Sequence, residues 1–303
     1  MEPRVLDAGV LVGSLPALVT PLTADRAVHD DDVRSLIRRS VGDGATGVLV
    51  AGTTGEGALL EPDQREQLVA TARSTLGSDA GGAVLLAGAS ASTVVGLHAD
   101  VARLGAAGAD AVLVLAPSTY PLTADELVDL HLDVAERASV PTLAYHIPQL
   151  TGSALTASAV TRLAGHDNII GLKDSSPDAE RRAAFVTAAE GHPFAVCTGD
   201  AATLVAALRA GASASITAIA NLRQRAVVAA HATVAAGDDA VAERRSEELA
   251  RAMAGITSTG FSLAATLKAA LQLDGVITER WCTPPLQSVP GPRLDRVRTA
   301  LLR

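Results

Sequence analysis

Only two of the 25 basic side chains in this 303-residue chain are lysines, Lys173 and Lys268; the rest are arginines. An arginine stays protonated near neutral pH, whereas a buried lysine can present a free amine and attack a carbonyl carbon. Lys173 closes the apolar run Ile169-Ile170-Gly171-Leu172, which surrounds its stem with hydrophobic neighbours, where burial disfavours the ammonium. The same position also allows an ion pair with the adjacent Asp174. Two further clusters suit imine chemistry. Gly52-Thr53-Thr54-Gly55-Glu56-Gly57 is a tight turn whose hydroxyls and backbone N–H groups can hold a carboxylate or phosphate. It can equally be an ordinary strand-to-helix turn, with Glu56 capping the next segment. It matches neither the Walker pattern nor G-x-G-x-x-G, which argues against nucleotides. Tyr145, one of two tyrosines, ends another apolar run; its phenol can pass a proton beside a forming imine, or simply occupy a rim.

These residues need elements to bring them together. Short β-rich runs are expected at Leu15–Val19, Gly47–Ala51, Ala83–Ala87, Ala111–Leu115, Pro141–Tyr145, Ile169–Lys173, Phe194–Thr198 and Ala214–Thr217. Between them, Asp31–Val41, Pro62–Leu76, Ser92–Leu104, Ala124–Ala138, Pro177–Glu190 and Ala201–Ala210 carry apolar residues at helical spacing and open with Asp, Ser, Thr or Pro. Asp30–Asp32 reads as a helix cap, not a metal site. Eight nearly continuous apolar strands alternating with helices imply parallel strands covered on both faces, and the count favours a closed (β/α)8 TIM barrel. Residues 1–220 are expected to form the barrel and 221–303 a helical C-terminal extension packed on it. Active sites of such barrels lie at the carboxyl ends of the strands, where Gly52–Gly57, Tyr145 and Lys173 all fall.

Composition excludes several classes. With 48% hydrophobic and 19% charged residues the chain can bury a large core, so extended disorder is ruled out. A net charge of −8 and a pI near 5.4 argue against a nucleic-acid surface, which needs clustered positive charge. No apolar run reaches the ~18 residues of a membrane span. No signal peptide is read at Met1–Leu11, and Cys197 and Cys282 form no C-x-x-C; a cytoplasmic location, with no metal, is the expectation.

Together the turn Gly52–Glu56, the element Tyr145-x-x-Pro148 and the segment Gly171–Ser175 occur on strands two, five and six, in the order of the dihydrodipicolinate synthase / N-acetylneuraminate lyase family. From Pro16 to Thr217 the chain resembles these class I Schiff-base aldolases. The resemblance implies an imine between Lys173 and a 2-oxo acid, usually pyruvate, with Tyr145 and Thr53 relaying protons. It implies substrate binding by Gly52, Thr54, Thr119, Gly199, Asp200 and Thr217, no cofactor, an aldehyde as second substrate, and a homotetramer; His146, where the family commonly has Asn, offers either a substrate contact or a supporting hydrogen bond to a neighbouring side chain. Lys268 corresponds to a structural position. Two departures narrow the activity. Where many relatives carry a tyrosine after strand four, this chain has Thr119, with Tyr120 one residue on. Where true synthases carry an arginine two residues after Pro148, this chain has Leu150, which cannot form a bidentate pair with a carboxylate. The expected activity is therefore cleavage of a 2-oxo-4-hydroxy acid, of the 2-keto-3-deoxy sugar acid kind, to pyruvate and an aldehyde. The alternatives are 4-hydroxy-tetrahydrodipicolinate synthase, a sugar-acid dehydratase, or a non-catalytic barrel that binds 2-oxo acids.

Overall fold

The computed structural model describes residues 6–79 and 82–301. The first five and last two residues of the two expected domains lie outside this range, as does the start of the segment read for a signal peptide. Eight strands, β1 Gly13–Ser14, β2 Gly47–Val50, β3 Val84–Ser90, β4 Ala111–Leu115, β5 Thr142–His146, β6 Ile169–Asp174, β7 Ala195–Thr198 and β8 Ala214–Ser215, form one parallel sheet in the order β1-β8-β7-β6-β5-β4-β3-β2. A parallel bridge from Ala17 to Leu49 closes it into a TIM barrel. Along this seam Leu18 N–H donates to Leu49 O at 2.9 Å and Leu49 N–H to Pro16 O at 3.0 Å. The regular strand thus lies at Gly13–Ser14, just before the expected Leu15–Val19, which keeps only the bridge at Ala17. Pro16 has no N–H to give a ladder, and it interrupts the pairing.

Helices α1 Asp30–Gly42, α2 Pro62–Asp79, α3 Val94–Ala106, α4 Ala124–Arg137, α5 Pro148–Thr151, α6 Ala157–Ala164, α7 Ala179–Ala188 and α8 Leu204–Arg209 connect the strands. Their starts follow capping chemistry. Thr123 and Glu126 close a reciprocal capping box on α4, and the Asp178 carboxylate accepts from Arg181 N–H at 2.9 Å on α7. The acids at 30–32 do not themselves cap α1. His29 does, through Nδ1, and Asp30–Asp32 fill the first turn, where negative charge is favoured. After β8 come α9 Ala220–Ala235, α10 Asp239–Thr257, α11 Leu263–Leu273 and α12 Leu294–Leu301. Helix α9 lies against β1 and α1, so the ring of barrel helices runs past residue 220. Among the described residues no helix is long and apolar enough to cross a membrane.

The core has two layers. Inside the barrel, Leu15, Leu49, Leu86, Leu113, Leu143, Ile170, Cys197 and Ile216 meet, each no more than 3% exposed. Between sheet and helices a larger cluster continues into α9–α12, through residues such as Val227, Leu249, Leu267 and Val297. The inner layer seals the barrel beneath its carboxyl-end mouth.

Candidate active site

Strand register brings three inward side chains to one level: Tyr145 on β5 pairs with Lys173 on β6, and Lys173 pairs with Cys197 on β7. Lys173 is 4% exposed. Its Nζ stands 4.6 Å from the centroid of the Tyr145 ring, so stem and amine are both withdrawn from bulk water. The Thr53 hydroxyl, on the turn after β2, donates to the Tyr145 hydroxyl at a long 3.5 Å. Burial pushes the Tyr145 phenol up. The charge of Lys173, and hydrogen bonding with Thr53, Ser175 and Lys173, outweigh it and leave the phenol more acidic than ordinary tyrosine. A phenol so placed gives up and recovers a proton more readily at neutral pH.

The turn itself is a concave set of donors. Ala51 and Glu56 adopt left-handed backbone, with φ of +52° and +61°, and the turn is closed by Glu56 N–H to Thr53 O at 3.1 Å and Gly57 N–H to Gly52 O at 3.0 Å. The N–H groups of Thr53, Thr54 and Gly55 find no acceptor among the described residues, leaving them open to an anion. Glu56 does not cap the segment after it. Its buried carboxylate pairs with Lys268 of α11 and accepts from Thr283 N–H at 2.6 Å, while Lys268 Nζ also donates to Trp281 O at 2.6 Å. Both scarce lysines therefore serve the same mouth, Lys268 by holding the segment from Trp281 to Thr283 against the turn.

Asp174 takes no part in an ion pair with Lys173. It points to the helix side of β6, where its carboxylate is 2.8 Å from His146 Nδ1 and 3.0 Å from Arg182 Nε, all three side chains being at most 1% exposed. Burial pushes this carboxyl up, but the bonds from His146 and Ser176 N–H and the Arg182 charge win, and it stays below the usual range. Of the two roles open to His146, this placement matches the supporting hydrogen bond and not the substrate contact. Its ring lies edge-on to Phe185 of α7 at 5.3 Å, outside the barrel. Arg182 continues the network to the Thr203 hydroxyl at 2.8 Å, and Thr203 N–H and Oγ1 both donate to Asp200, at 3.0 and 2.6 Å. One oxygen of the Asp200 carboxylate is thus committed to the start of α8. Gly199 is required by Ser175 and Lys173 together: a Cβ there would stand 2.0 Å from Ser175 Oγ and 2.8 Å from Lys173 Cε.

A cavity of about 280 Å³ opens beside Tyr145. Gly52, Thr53 and Tyr145 line it; Lys173, Thr54, Thr119, His146, Gly199, Asp200 and Thr217 do not, and Lys173 adjoins the cavity through the Tyr145 ring, 4.6 Å from its Nζ. Thr119 and Tyr120 are exposed, Tyr120 by 77%, and the polar side chain after β4 that reaches the wall is Ser118. Thr217 is buried with its hydroxyl unpartnered. Leu286, from the segment after α11, completes the wall. Nothing in the sequence pattern pointed to Leu286 or Arg182, and Ser175 was marked only as the end of the segment Gly171–Ser175. Only the glycine and lysine spacing of strand six hinted at their surroundings. Among the described residues no three His, Cys, Asp or Glu side chains are grouped to hold a metal.

The family model described as "Dihydrodipicolinate synthetase family" matches residues 10–302. A 4-hydroxy-tetrahydrodipicolinate synthase of Xanthomonas axonopodis pv. citri is 34% identical over 211 residues, covering 70% of this chain and 68% of the relative. An uncharacterized DapA-like lyase of Halobacterium salinarum is 30% identical over 88% of this chain and 85% of its own. Among solved structures, the dihydrodipicolinate synthase of Acinetobacter baumannii complexed with pyruvate superposes with a TM-score of 0.88 at 26% identity, covering 96% of this chain and 98% of that one.

Proposed function

Because the chain belongs to the dihydrodipicolinate synthetase family, we propose that it is a lyase joining or separating pyruvate and an aldehyde through an imine on Lys173. The observation that carries this reading is the buried Lys173 amine beside the acidified Tyr145 phenol, itself bonded to Thr53. The Lys173 amine adds to the C2 ketone of the 2-oxo acid. Tyr145 passes the protons that let the carbinolamine lose water, leaving an iminium in place of the C=O bond. In the cleavage direction the C4 hydroxyl gives its proton to Tyr145 and its C–O becomes C=O. The C3–C4 bonding pair then moves into the iminium as an enamine. Protonation at C3 and hydrolysis release pyruvate and restore the amine, so the sum is one 2-oxo-4-hydroxy acid becoming pyruvate plus an aldehyde. The open N–H groups of the turn, with the Thr53 and Thr54 hydroxyls, are suited to the pyruvyl carboxylate. The pyruvate bound by the Acinetobacter relative supports this assignment, and we take a homotetramer as the working assembly.

The relatives named 4-hydroxy-tetrahydrodipicolinate synthase favour aspartate semialdehyde as the aldehyde. Leu150, 57% exposed at the cavity wall, favours another, because it offers no charge to a second carboxylate. The test is borohydride reduction in the presence of pyruvate, then intact mass and a peptide map. An adduct on Lys173, absent in a folded Lys173→Ala variant that also lacks turnover, is expected. A folded wild-type protein without an adduct refutes the imine and leaves a barrel that only binds 2-oxo acids.

A further inference from the structure

We propose that the aldehyde half of the substrate carries an apolar group, an alkyl chain or an aryl ring, and not the polyol expected from the resemblance or a second carboxylate. This rests on the imine at Lys173 and specifies the substrate of that chemistry. The wall beyond Tyr145 and Thr53 is built from Leu59, Leu113, Leu115, Leu150 and Leu286, contributed by the second turn, β4, the helix after β5 and the segment after α11. No arginine or lysine lines it, and its one charged residue, Glu56, is already paired with Lys268 and Thr283 N–H.

The remaining polar groups are few and mostly engaged. Thr53 and Tyr145 belong to the reacting centre. Ser90 accepts from Arg65 Nη1 at its carbonyl, 3.0 Å away, and at its hydroxyl, 3.4 Å away, and its N–H donates to Asp100. That leaves the Ser118 hydroxyl. On the opposite rim, Asp200 has one carboxylate oxygen turned to Thr203. A chain of three or four hydroxyls entering here would meet leucine methyls and lose its bonds to water without replacement. An alkyl or aryl group gains from the same surface. At about 30 Å³ per water-sized group, 280 Å³ holds roughly nine such groups, shared between the pyruvyl unit on the Thr53 turn and the apolar group of the aldehyde, whose far end reaches the exposed rim at Leu150.

In the bond-forming direction the enamine C3 attacks the aldehyde carbon. The C=O electrons take a proton from Tyr145, and water then hydrolyses the iminium, so the product is the sum of pyruvate and aldehyde. The experiment measures kcat/KM for pyruvate addition to propanal, butanal, pentanal, hexanal and benzaldehyde against glyceraldehyde, erythrose and succinic semialdehyde. Borohydride trapping of pyruvate runs in parallel. The expected result is a rise of about fourfold per methylene, with benzaldehyde at least tenfold above glyceraldehyde. Leu150→Arg is expected to invert the ratio of hexanal to succinic semialdehyde. A preference for glyceraldehyde, erythrose or the semialdehyde while Lys173 is still trapped overturns this inference and leaves the imine chemistry standing. Absence of the trapped adduct removes both.

Discussion

Replacing Lys268 with methionine keeps most of the side-chain volume in α11 and removes only the charge that faces Glu56. Both partners are fully buried, and without the ammonium the Glu56 carboxylate keeps just one donor, the Thr283 N–H at 2.6 Å. Leaving one member of a buried pair uncompensated costs about 3–5 kcal/mol. In a chain of this length that is a fall of roughly 6–10 °C in Tm, at about 2 °C per kcal/mol. The Trp281 carbonyl, which accepts from Lys268 at 2.6 Å, also loses its donor, so the segment bearing Leu286 loosens over the cavity. Urea unfolding at pH 7 of the wild type, Lys268→Met, Glu56→Gln and the double variant separates the contributions. The double variant is expected to lose only about half of what Lys268→Met loses, because it buries no unpaired charge, so the two single losses together exceed the double loss by about 2 kcal/mol plus the cost of Glu56→Gln itself. A Lys268→Met loss below about 1 kcal/mol, or losses that simply add, refutes the idea that this pair anchors the C-terminal segment to the turn.

Gly199→Ala drives a Cβ to within 2.0 Å of Ser175 Oγ and 2.8 Å of Lys173 Cε; displacement of the amine by about 1 Å is expected to lower kcat about 100-fold, and unchanged turnover in a folded variant contradicts the packing argument. Arg182→Met leaves the buried Asp174 with His146 and Ser176 N–H alone, and urea unfolding is expected to show a loss of about 3 kcal/mol. Burial holds His131 at a pKa of about 4, against 6.5 when exposed. The unfolded chain therefore binds the extra proton between those values: the stability is complete above pH 6.5 and is lost as pH falls toward 4, by about 2 kcal/mol at pH 5. His231 shifts in the same direction. Unfolding midpoints at pH 7 and 5 for wild type and His131→Leu measure this, and identical differences in the two proteins would sink the assignment.

The barrel was readable because its strands are continuously apolar and its helices open on capping residues, two local signals that tertiary packing does not reverse. Pro16 marks where such reading stops. The residues at Leu15–Val19 have strand composition, but the missing N–H breaks the ladder and leaves a single bridge at Ala17. Helix α5, after β5, went unread because Pro148–Thr151 is one turn long and has no period to detect; α6, with a Thr156 cap and a buried face of Ala159, Val160, Leu163 and Ala164, carries a local signal that went unread. At the site, glycine, threonine, tyrosine and lysine announced themselves by type. Leu286 and the Lys268–Glu56 pair did not, since they approach the mouth from the far end of the chain and no local pattern encodes that meeting.

The inward direction of Lys173 shows how a single residue of register decides function. Strict alternation along β6 from the inward Ile170 would turn Leu172 into the barrel and Lys173 out among the helices. The pairing of β5 with β6 shifts instead: Thr142 faces Ile169, but Leu143 faces Gly171, so Ile170 is an extra residue on β6. Such an insertion re-aims the side chains beyond it. Leu172 goes to the outer cluster and Lys173 to the level of Tyr145 and Cys197. Gly171 makes the shift sterically possible, because a Cβ there would lie 2.4 Å from the Ala195 carbonyl oxygen. The same shift sends Asp174 outward to His146 and Arg182. That separates the carboxylate from the amine beside it in sequence, and leaves Lys173 facing Tyr145 inside the barrel.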